Sequence, residues 1–376
     1  MTTSKLPIQT SPFTLNPSRI FNAPQTAHWS RDLRFVGSVV IISCLWALIA
    51  NTVFSLLFEA PLSMPNEAKG FSTSFFSRLF VFLIALIVWR VLQFAWQNRQ
   101  TSILSALKLT YRANPLAPLH WLTMAAFASA TFLLMMTSFM TLKTAIPRMI
   151  PFYLDTVIAD LDHILFLGRD PWTLFAWIYD FPSVVKFIDV CYTLWAALLA
   201  SIWFYCFTSQ RLEHTRRYQF IFSMMLLWAL GGNVLATLLS SVGPVYMEHF
   251  TGNIRFRPLM EHLATLHDTT PLGAVEYHGF LLQLYENPGF RVGGISAMPS
   301  LHCSSSLLML FVFWKNKFLR TLMIGFNIVI FSGSVILAWH YALDGIIAIP
   351  LAILCWWLAG KFVTRFISPK AENPVT

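Results

Sequence analysis

Eight long apolar segments alternate with short polar segments along this chain. A helix that crosses the hydrocarbon core of a bilayer needs about 20 mostly apolar residues. The segments lie at 35–58, 76–96, 119–142, 187–208, 219–240, 301–314, 318–338 and 339–363. The pattern therefore predicts an all-α, polytopic membrane protein with about eight transmembrane helices.

The sixth segment, 301–314, is too short to cross a whole bilayer. At 1.5 Å per residue it spans about 21 Å, whereas the hydrocarbon core is about 30 Å thick. A helix that begins at Ser300 would therefore start below the membrane surface, in a recess that suits a protected reactive site.

Polar residues mark the remaining parts of the chain. Residues 1–34 and 364–376 are polar and predict flexible cytoplasmic tails. Apolar residues recur at helical spacing near 152–166, with Asp155 and Asp162 on the opposite face, which predicts an amphipathic helix at the membrane interface. Two roles stay open for this helix, a connector that plugs the bundle and an element that gathers substrate.

Composition and charge narrow the class of protein. Only 11% of the residues are charged and 56% are hydrophobic, whereas a soluble domain averages about 25% charged residues. The net charge of +9 is spread over short loops, so we expect no nucleic-acid partner. Twice as many lysines and arginines fall on the side of the N-terminus as on the other side. The positive-inside rule therefore predicts that the N-terminal side is cytoplasmic.

Two histidines fall at the non-cytoplasmic ends of predicted helices. His302 follows Pro299 and Ser300 at the start of the sixth segment, and His340 lies at the turn between the seventh and eighth. Asp344 comes four residues after His340, so the two share one helical face. Ionisable groups inside membrane segments are costly and indicate a functional site.

These residue types suit phosphoryl transfer through a phosphohistidine. A carboxylate that accepts the Nδ1 hydrogen of His340 leaves Nε2 free as a nucleophile, and His302 can protonate a leaving group. The helix start at Ser300 offers free N–H groups to a phosphate. The alternatives are histidines that only pack in the bundle, a purely local His340–Asp344 hydrogen bond, and haem ligation. Haem ligation requires neither the Pro–Ser helix start nor Asp344 in that register.

The motifs AMPSLH at 297–302 and HYALD at 340–344 resemble the type 2 phosphatidic acid phosphatase superfamily. With SVGPVY at 241–246 and LDHILFLGRDPW at 161–172, they are similar to a narrower branch, that of inositol phosphorylceramide synthase and its bacterial relatives.

This resemblance covers about residues 119–363 and implies a six-helix catalytic domain. That domain includes the interfacial helix and the loop 241–299, and two additional helices within 35–118 precede it. The resemblance also implies roles for four residues. His340 would be the nucleophile, Asp344 its orienting partner, His302 the general acid and Ser300 a phosphate contact.

The chain departs from the superfamily's hydrolases at the basic residues that usually hold the phosphate. Phe250 stands in the place of a lysine, and Ser334 in the place of an arginine that the synthase branch also lacks. Arg291 is the first candidate replacement, followed by Arg255 and Arg257. The histidines of this loop show no metal-ligand spacing, so we expect neither a metal nor another cofactor.

We therefore expect an inositolphosphotransferase-like membrane enzyme with a lipid phosphate donor and a lipid, a small alcohol or water as acceptor. A lipid phosphatase acting on phosphatidate or a polyprenyl pyrophosphate would use the same residues. A non-catalytic channel or binding protein on the same scaffold is the third alternative. The expected location is a bacterial inner membrane, with the active site on the non-cytoplasmic face.

Overall fold

The computed structural model describes residues 26–58, 116–209, 212–286 and 294–367, with single positions between 96 and 112. The described chain folds into helices joined by short connections, and these ranges contain no β-strand. Within a bilayer every backbone N–H and C=O group needs an internal partner, and a helix supplies one. The predicted fold class, an all-α polytopic membrane protein, is confirmed.

Long helices build the body of the molecule, and short helices cluster at one end of it. The long helices are α1 (Thr26–Phe58), α2 (Ala117–Met149), α4 (Pro182–Thr208), α5 (His214–Ala229), α10 (Lys317–Ile336) and α11 (Ala342–Phe362). The short helices are α3 (Asp155–Leu165), α6 (Pro244–Thr251), α7 (Arg257–Thr269), α8 (Gly273–Glu286) and α9 (Leu301–Val312). A 3₁₀ helix covers Pro171–Asp180, and a π-helical turn at Leu230–Leu235 continues α5 into Ala236–Leu238. A second π turn, Val363–Ile367, extends α11.

Six helices in the described ranges are long and apolar enough to span a membrane. They are Arg31–Phe58, Leu119–Met149, Pro182–Thr208, His214–Leu238, Lys317–Ile336 and Ala342–Ile367. The apolar helix α9 is shorter, with 12 residues, as its sequence predicts. The predicted span at 76–96 lies outside the described residues.

Helix bounds differ from the predicted segments mainly at the two ends of the chain. Helix α1 begins at Thr26, inside the predicted tail 1–34, because Asp32 is buried against neighbouring helices and extends the packed part of α1 toward the N-terminus. At the other end the helical turns continue to Ile367, which is 1% exposed. Helical structure therefore extends further toward both ends of the chain than hydrophobicity alone predicts.

Two large hydrophobic cores, and a smaller one around Tyr246 and Leu284, hold the described helices together. The larger core joins α1, α2, α4, α5, α9 and α11, and Trp203, Tyr218 and Met224 are fully buried within it. The second core lies where the short helices meet the α10–α11 turn, around Met247, Leu263 and Leu337. The second core fixes the turn that carries His340.

Helix α3 presents its two aspartates to the protein interior. Asp155 and Asp162 are each 1% exposed, whereas Val157, Leu161 and Ile164 are 43–71% exposed. The apolar face is therefore the outer one, which suits contact with lipid. The amphipathic pattern predicted the helix but not the role of its polar face, which lies against the loops around His340.

Candidate active site

His340 and Asp344 form a buried pair where α10 gives way to α11. The Nδ1 atom of His340 lies 3.1 Å from Oδ2 of Asp344, and the same oxygen accepts the backbone N–H of Tyr341 at 3.1 Å. The backbone N–H of His340 donates to the carbonyl of Ser334 at 3.0 Å. These bonds fix the imidazole plane, and Nε2 keeps its lone pair when Nδ1 carries the hydrogen.

His302 lies in the first turn of α9 and faces His340. The centroids of the two imidazole rings are 6.0 Å apart. A phosphorus atom about 3–3.5 Å from a nucleophile is at attack distance, and a phosphate oxygen can then reach the second ring at hydrogen-bond distance. The pair can therefore contact one phosphate group from two sides.

Aromatic side chains of α4 hold the His302 ring. Tyr192 stacks on it at 4.4 Å between centroids, and Trp195 lies at 4.1 Å. Trp195 is itself held because its indole N–H donates to Ser305 at 2.8 Å. The ring is thus oriented by packing, and no carboxylate of the described residues bonds to it.

Ser300 connects the two histidine-bearing segments. Its backbone N–H donates to the carbonyl of Asp344 at 3.3 Å, and its Oγ accepts the N–H of Cys303 at 3.4 Å as the N-cap of α9. Among the described residues no acceptor takes the hydroxyl hydrogen of Ser300, which can therefore donate to a ligand. Its predicted phosphate contact is compatible with this position and stays a prediction.

The loop 241–246 forms a platform under both histidine-bearing segments. Ser241 accepts the backbone N–H groups of Ala297 and Met298, and the N–H of Val245 donates to the carbonyl of Ala338. Gly243 has φ +88°, and a Cβ there would lie 2.7 Å from the carbonyl oxygen of Trp339. Only glycine combines this conformation with so close an approach.

The aspartates of α3 anchor this platform and the start of α11. Asp155 accepts the N–H groups of Val242 and Gly243 and the hydroxyl of Tyr341, at 2.8–3.0 Å. Asp162 accepts the N–H groups of Ala342 and Leu343 at 2.7 and 2.8 Å. A carboxylate at the start of a helix satisfies otherwise free N–H groups and favours its dipole.

Burial shifts the pKa values of the two anchoring aspartates and of the nearby His278. Desolvation raises the pKa of Asp162 to about 6, and the charges of Asp344 and Asp170 act in the same direction against its two amide hydrogen bonds. Desolvation also raises the pKa of Asp155. The His278 ring, packed against Trp339 at 4.2 Å, has its pKa lowered to about 3 by burial and so stays neutral.

A family model for the PAP2 superfamily, the type 2 phosphatidic acid phosphatases, matches residues 156–358. The match includes His302, His340, Asp344 and the anchoring Asp162. The chain belongs to the PAP2 superfamily. Its function is accordingly of the lipid phosphatase or phosphotransferase kind, with a lipid phosphate as substrate. No curated protein and no solved structure matches the chain.

The superfamily match begins at residue 156, after α2. Helices α1 and α2 therefore lie outside it, although the sequence resemblance had been taken to begin at residue 119. The superfamily that the motifs predicted is confirmed, whereas the narrower synthase branch stays a prediction.

Ser334 and Phe250 of this PAP2 protein occupy two positions where the hydrolases of the superfamily carry basic residues. Ser334 is 1% exposed and its Oγ lies 3.9 Å from Sγ of Cys303, so an arginine would not fit without displacing that contact. Phe250 packs edge-on against Phe152 and Tyr285 at about 5 Å. Neither position can supply a cation to the histidines.

Two of the three arginines predicted to take the place of those basic residues are paired with carboxylates. Arg255 donates to Asp170 and, at 2.8 Å, to Asp160. The exposed Arg257 pairs with Glu248. Arg291 lies outside the described residues. Phosphate binding by any of the three stays a prediction, and for the first two it requires that an existing ion pair be exchanged.

Sequence reasoning missed the groups that support the histidines. Tyr192 and Trp195 read as ordinary members of an apolar helix, and nothing in their spacing distinguishes them. Asp155 and Asp162 gave a usable signal, because acidic residues spaced seven apart on one face of an otherwise apolar helix are rarely buried without a bonding role.

Proposed function

We propose that this protein is an inositolphosphotransferase-like lipid phosphotransferase that acts through a phosphohistidine on His340. The proposal depends on one observation above all. A histidine bonded to a buried carboxylate at 3.1 Å lies opposite a second histidine, with 6.0 Å between the ring centroids. This is an activated nucleophile facing an acid, at the separation of one phosphate group.

In the first step, Nε2 of His340 attacks the phosphorus of the donor lipid. The P–O bond to the leaving alcohol breaks as the N–P bond forms, and His302 transfers a proton to the departing oxygen. The ring of His340 gains positive charge as it is phosphorylated. Asp344, fully buried beside it, stabilises that charge and has its own negative charge balanced.

In the second step, an acceptor alcohol attacks the phosphohistidine. His302, now neutral, removes the proton of the attacking hydroxyl, the P–N bond breaks and His340 is restored. Tyr192 and Trp195 cover His302 with apolar surface, which disfavours loosely bound water near the proton acceptor. That enclosure supports an alcohol acceptor over water.

The narrower features of the proposal come from sequence. The motifs resemble those of enzymes that transfer inositol phosphate onto a ceramide-like lipid, and Ser334 and Phe250 replace the basic residues of the hydrolases. The distribution of lysines and arginines favours an active site on the non-cytoplasmic face. The resemblance to bacterial relatives of the synthase favours a bacterial inner membrane.

Product analysis with labelled phospholipids tests this proposal. The purified full chain is incubated with headgroup-labelled phospholipids, with and without added inositol or a ceramide. We expect a labelled product that appears only with acceptor and disappears in His340→Ala. The same label should be trapped on wild-type protein in an acid-labile, base-stable form, as expected of a phosphoamidate.

Other products would identify other functions. Acceptor-independent release of phosphate would show the lipid phosphatase. No turnover of any lipid phosphate, with no trapped label, would leave the non-catalytic alternative. Turnover by His340→Ala at the wild-type rate would contradict the nucleophile assignment, provided that size-exclusion profiles show both proteins folded.

A further inference from the structure

The histidine pair is surrounded by more negative than positive charge. Asp155, Asp162 and Asp344 are all buried on its α11 side, and desolvation together with the charge of Asp344 raises the pKa of the other two. A phosphate that enters this environment needs a compensating cation, because an unpaired charge in a low-dielectric site is strongly unfavourable. The carboxylate-paired Arg255 and Arg257 do not supply one in this structure.

Lys143 lies near the end of α2, beside the segment that leads into α9. Its backbone carbonyl approaches the segment that leads into α9, since a Cβ on Gly294 would be 2.1 Å from that oxygen. One helical turn earlier, the Phe139 ring packs on Gly232, where a Cβ would be 2.5 Å from Phe139 and 2.8 Å from Leu301. Helix α2 therefore packs closely beside the residue that precedes His302.

The ammonium group of Lys143 interacts electrostatically with the His302 ring, and the Lys143 side chain is half-buried. Within the described part of the chain no carboxylate pairs with it, and its nearest aromatic ring, that of Phe139, is 5.9 Å away. The neighbouring side chain Arg148 differs, because it is exposed and lies over the ring of Phe58 at 5.2 Å.

We propose that Lys143 is the residue that binds the phosphate of the lipid substrate at the histidine pair. The proposal deepens the proposed function and rests on it for the identity of the substrate. It assigns the positive charge of the site to a helix outside the segment that matches the superfamily. It also gives α2 a direct part in substrate binding. The alternative is that the ammonium group of Lys143 only extends to the membrane surface.

The test compares four variants of the full chain in detergent, one of which, Arg291→Gln, removes the charge of the rival arginine. Lys143→Met removes the charge, Lys143→Arg keeps it, and Arg148→Met is the matched control one turn further along the same helix. The first measurement is thermal stabilisation by inorganic phosphate and orthovanadate, which needs no turnover. The second is kcat/KM for the labelled lipid, with the inhibition constant of orthovanadate.

We expect Lys143→Met to lose stabilisation by both anions and to weaken vanadate inhibition and kcat/KM by about 10- to 100-fold, the value of a charge-assisted hydrogen bond. Lys143→Arg should stay within about tenfold of wild type, and Arg148→Met should match wild type. Lys143→Gln replaces Lys143→Met if the apolar variant does not fold.

Three results would overturn the assignment. One is unchanged anion stabilisation in Lys143→Met. Another is Lys143→Arg damaged as severely as Lys143→Met, since the charge would then be irrelevant. The last is loss of anion stabilisation in Arg291→Gln but not in Lys143→Met, which would move the role to Arg291. If wild type turns over no lipid phosphate, the proposed function fails, while the anion measurements still decide the role of Lys143.

Discussion

At the scale of single residues, the Asp344 carboxylate is placed to stabilise a positive charge on His340. Its Oδ2 accepts two hydrogen bonds, whereas its Oδ1 is buried without a hydrogen-bond partner in the described structure. A buried carboxylate oxygen that lacks a partner is unfavourable. Interactions that are stronger in the transition state than in the resting state accelerate a reaction. The charge that develops on His340 during phosphorylation supplies such an interaction.

His302 and His340 should respond differently to the leaving group of the substrate. We expect His302→Gln to slow the release of an alkyl alcohol by about 10²- to 10⁴-fold, the usual contribution of a general acid. With a nitrophenyl leaving group, which departs without a proton, most of that loss should disappear. His340→Ala should be inactive on both substrates. Equal losses on both substrates in His302→Gln would contradict its role as the acid.

At the scale of elements, short buried segments decide where the histidines lie. Helix α3 fixes the platform loop through Asp155 and the first turn of α11 through Asp162. The 3₁₀ helix holds the end of α10, because the hydroxyl of Tyr179 donates to the carbonyl of Ile336 at 2.7 Å. The turn that carries His340 is thus bound from several directions by elements that come well before it in the chain.

Asp162 should position His340 in a pH-dependent way. Its pKa in the folded protein, about 6, exceeds its ordinary value of 3.8. The folded state therefore holds the proton more tightly, and this group's contribution to stability falls as pH rises from about 4 to about 6, then levels off. Asp162→Asn should abolish that fall. It should also lower kcat by about 10- to 100-fold, since His340 loses its alignment.

Thermal unfolding between pH 4 and pH 7, together with kinetics at pH 7, checks the Asp162 prediction. Asp160→Asn is the matched control on the same helix, because the Asp160 side chain is 61% exposed and its ion pair with Arg255 contributes little to stability. The prediction is wrong if the two variants show the same pH dependence of unfolding or the same kcat.

At the scale of the whole molecule, buried polar networks lie at both ends of the bundle. The end opposite the histidines contains Asp32 of α1, which accepts from His120 of α2 at 3.1 Å and from Tyr218 of α5, with Arg217 at 3.6 Å. From His120 to Lys143, α2 rises about 35 Å. Helices α1 and α2 run parallel, since Phe58 and Arg148 meet at the other end.

Disrupting the network around Asp32 should lower the free energy of unfolding without lowering kcat. Asp32→Asn leaves Arg217 buried without its counter-ion, which should lower the free energy of unfolding by about 3–5 kcal/mol. Pairing it with Arg217→Met should recover part of the loss, because no unpaired charge then remains. We expect kcat below the unfolding temperature to stay within about threefold of wild type. A large loss of kcat in the folded variant would show that the two ends are coupled.

Sequence alone predicted the long apolar helices of the described chain and singled out His302, His340 and Asp344 as the candidate site. Segment length and hydrophobicity fix transmembrane helices because lipid offers no partners to a free backbone. His340, in contrast, lies before Tyr341, the N-cap of α11, so its contact with Asp344 depends on the fold of that turn and not on helical spacing. Only the tertiary structure decided that Asp155 and Asp162 face inward and that Lys143 lies beside His302. Those placements depend on contacts between segments far apart in the chain, and helical periodicity does not specify which face of one helix meets which neighbour.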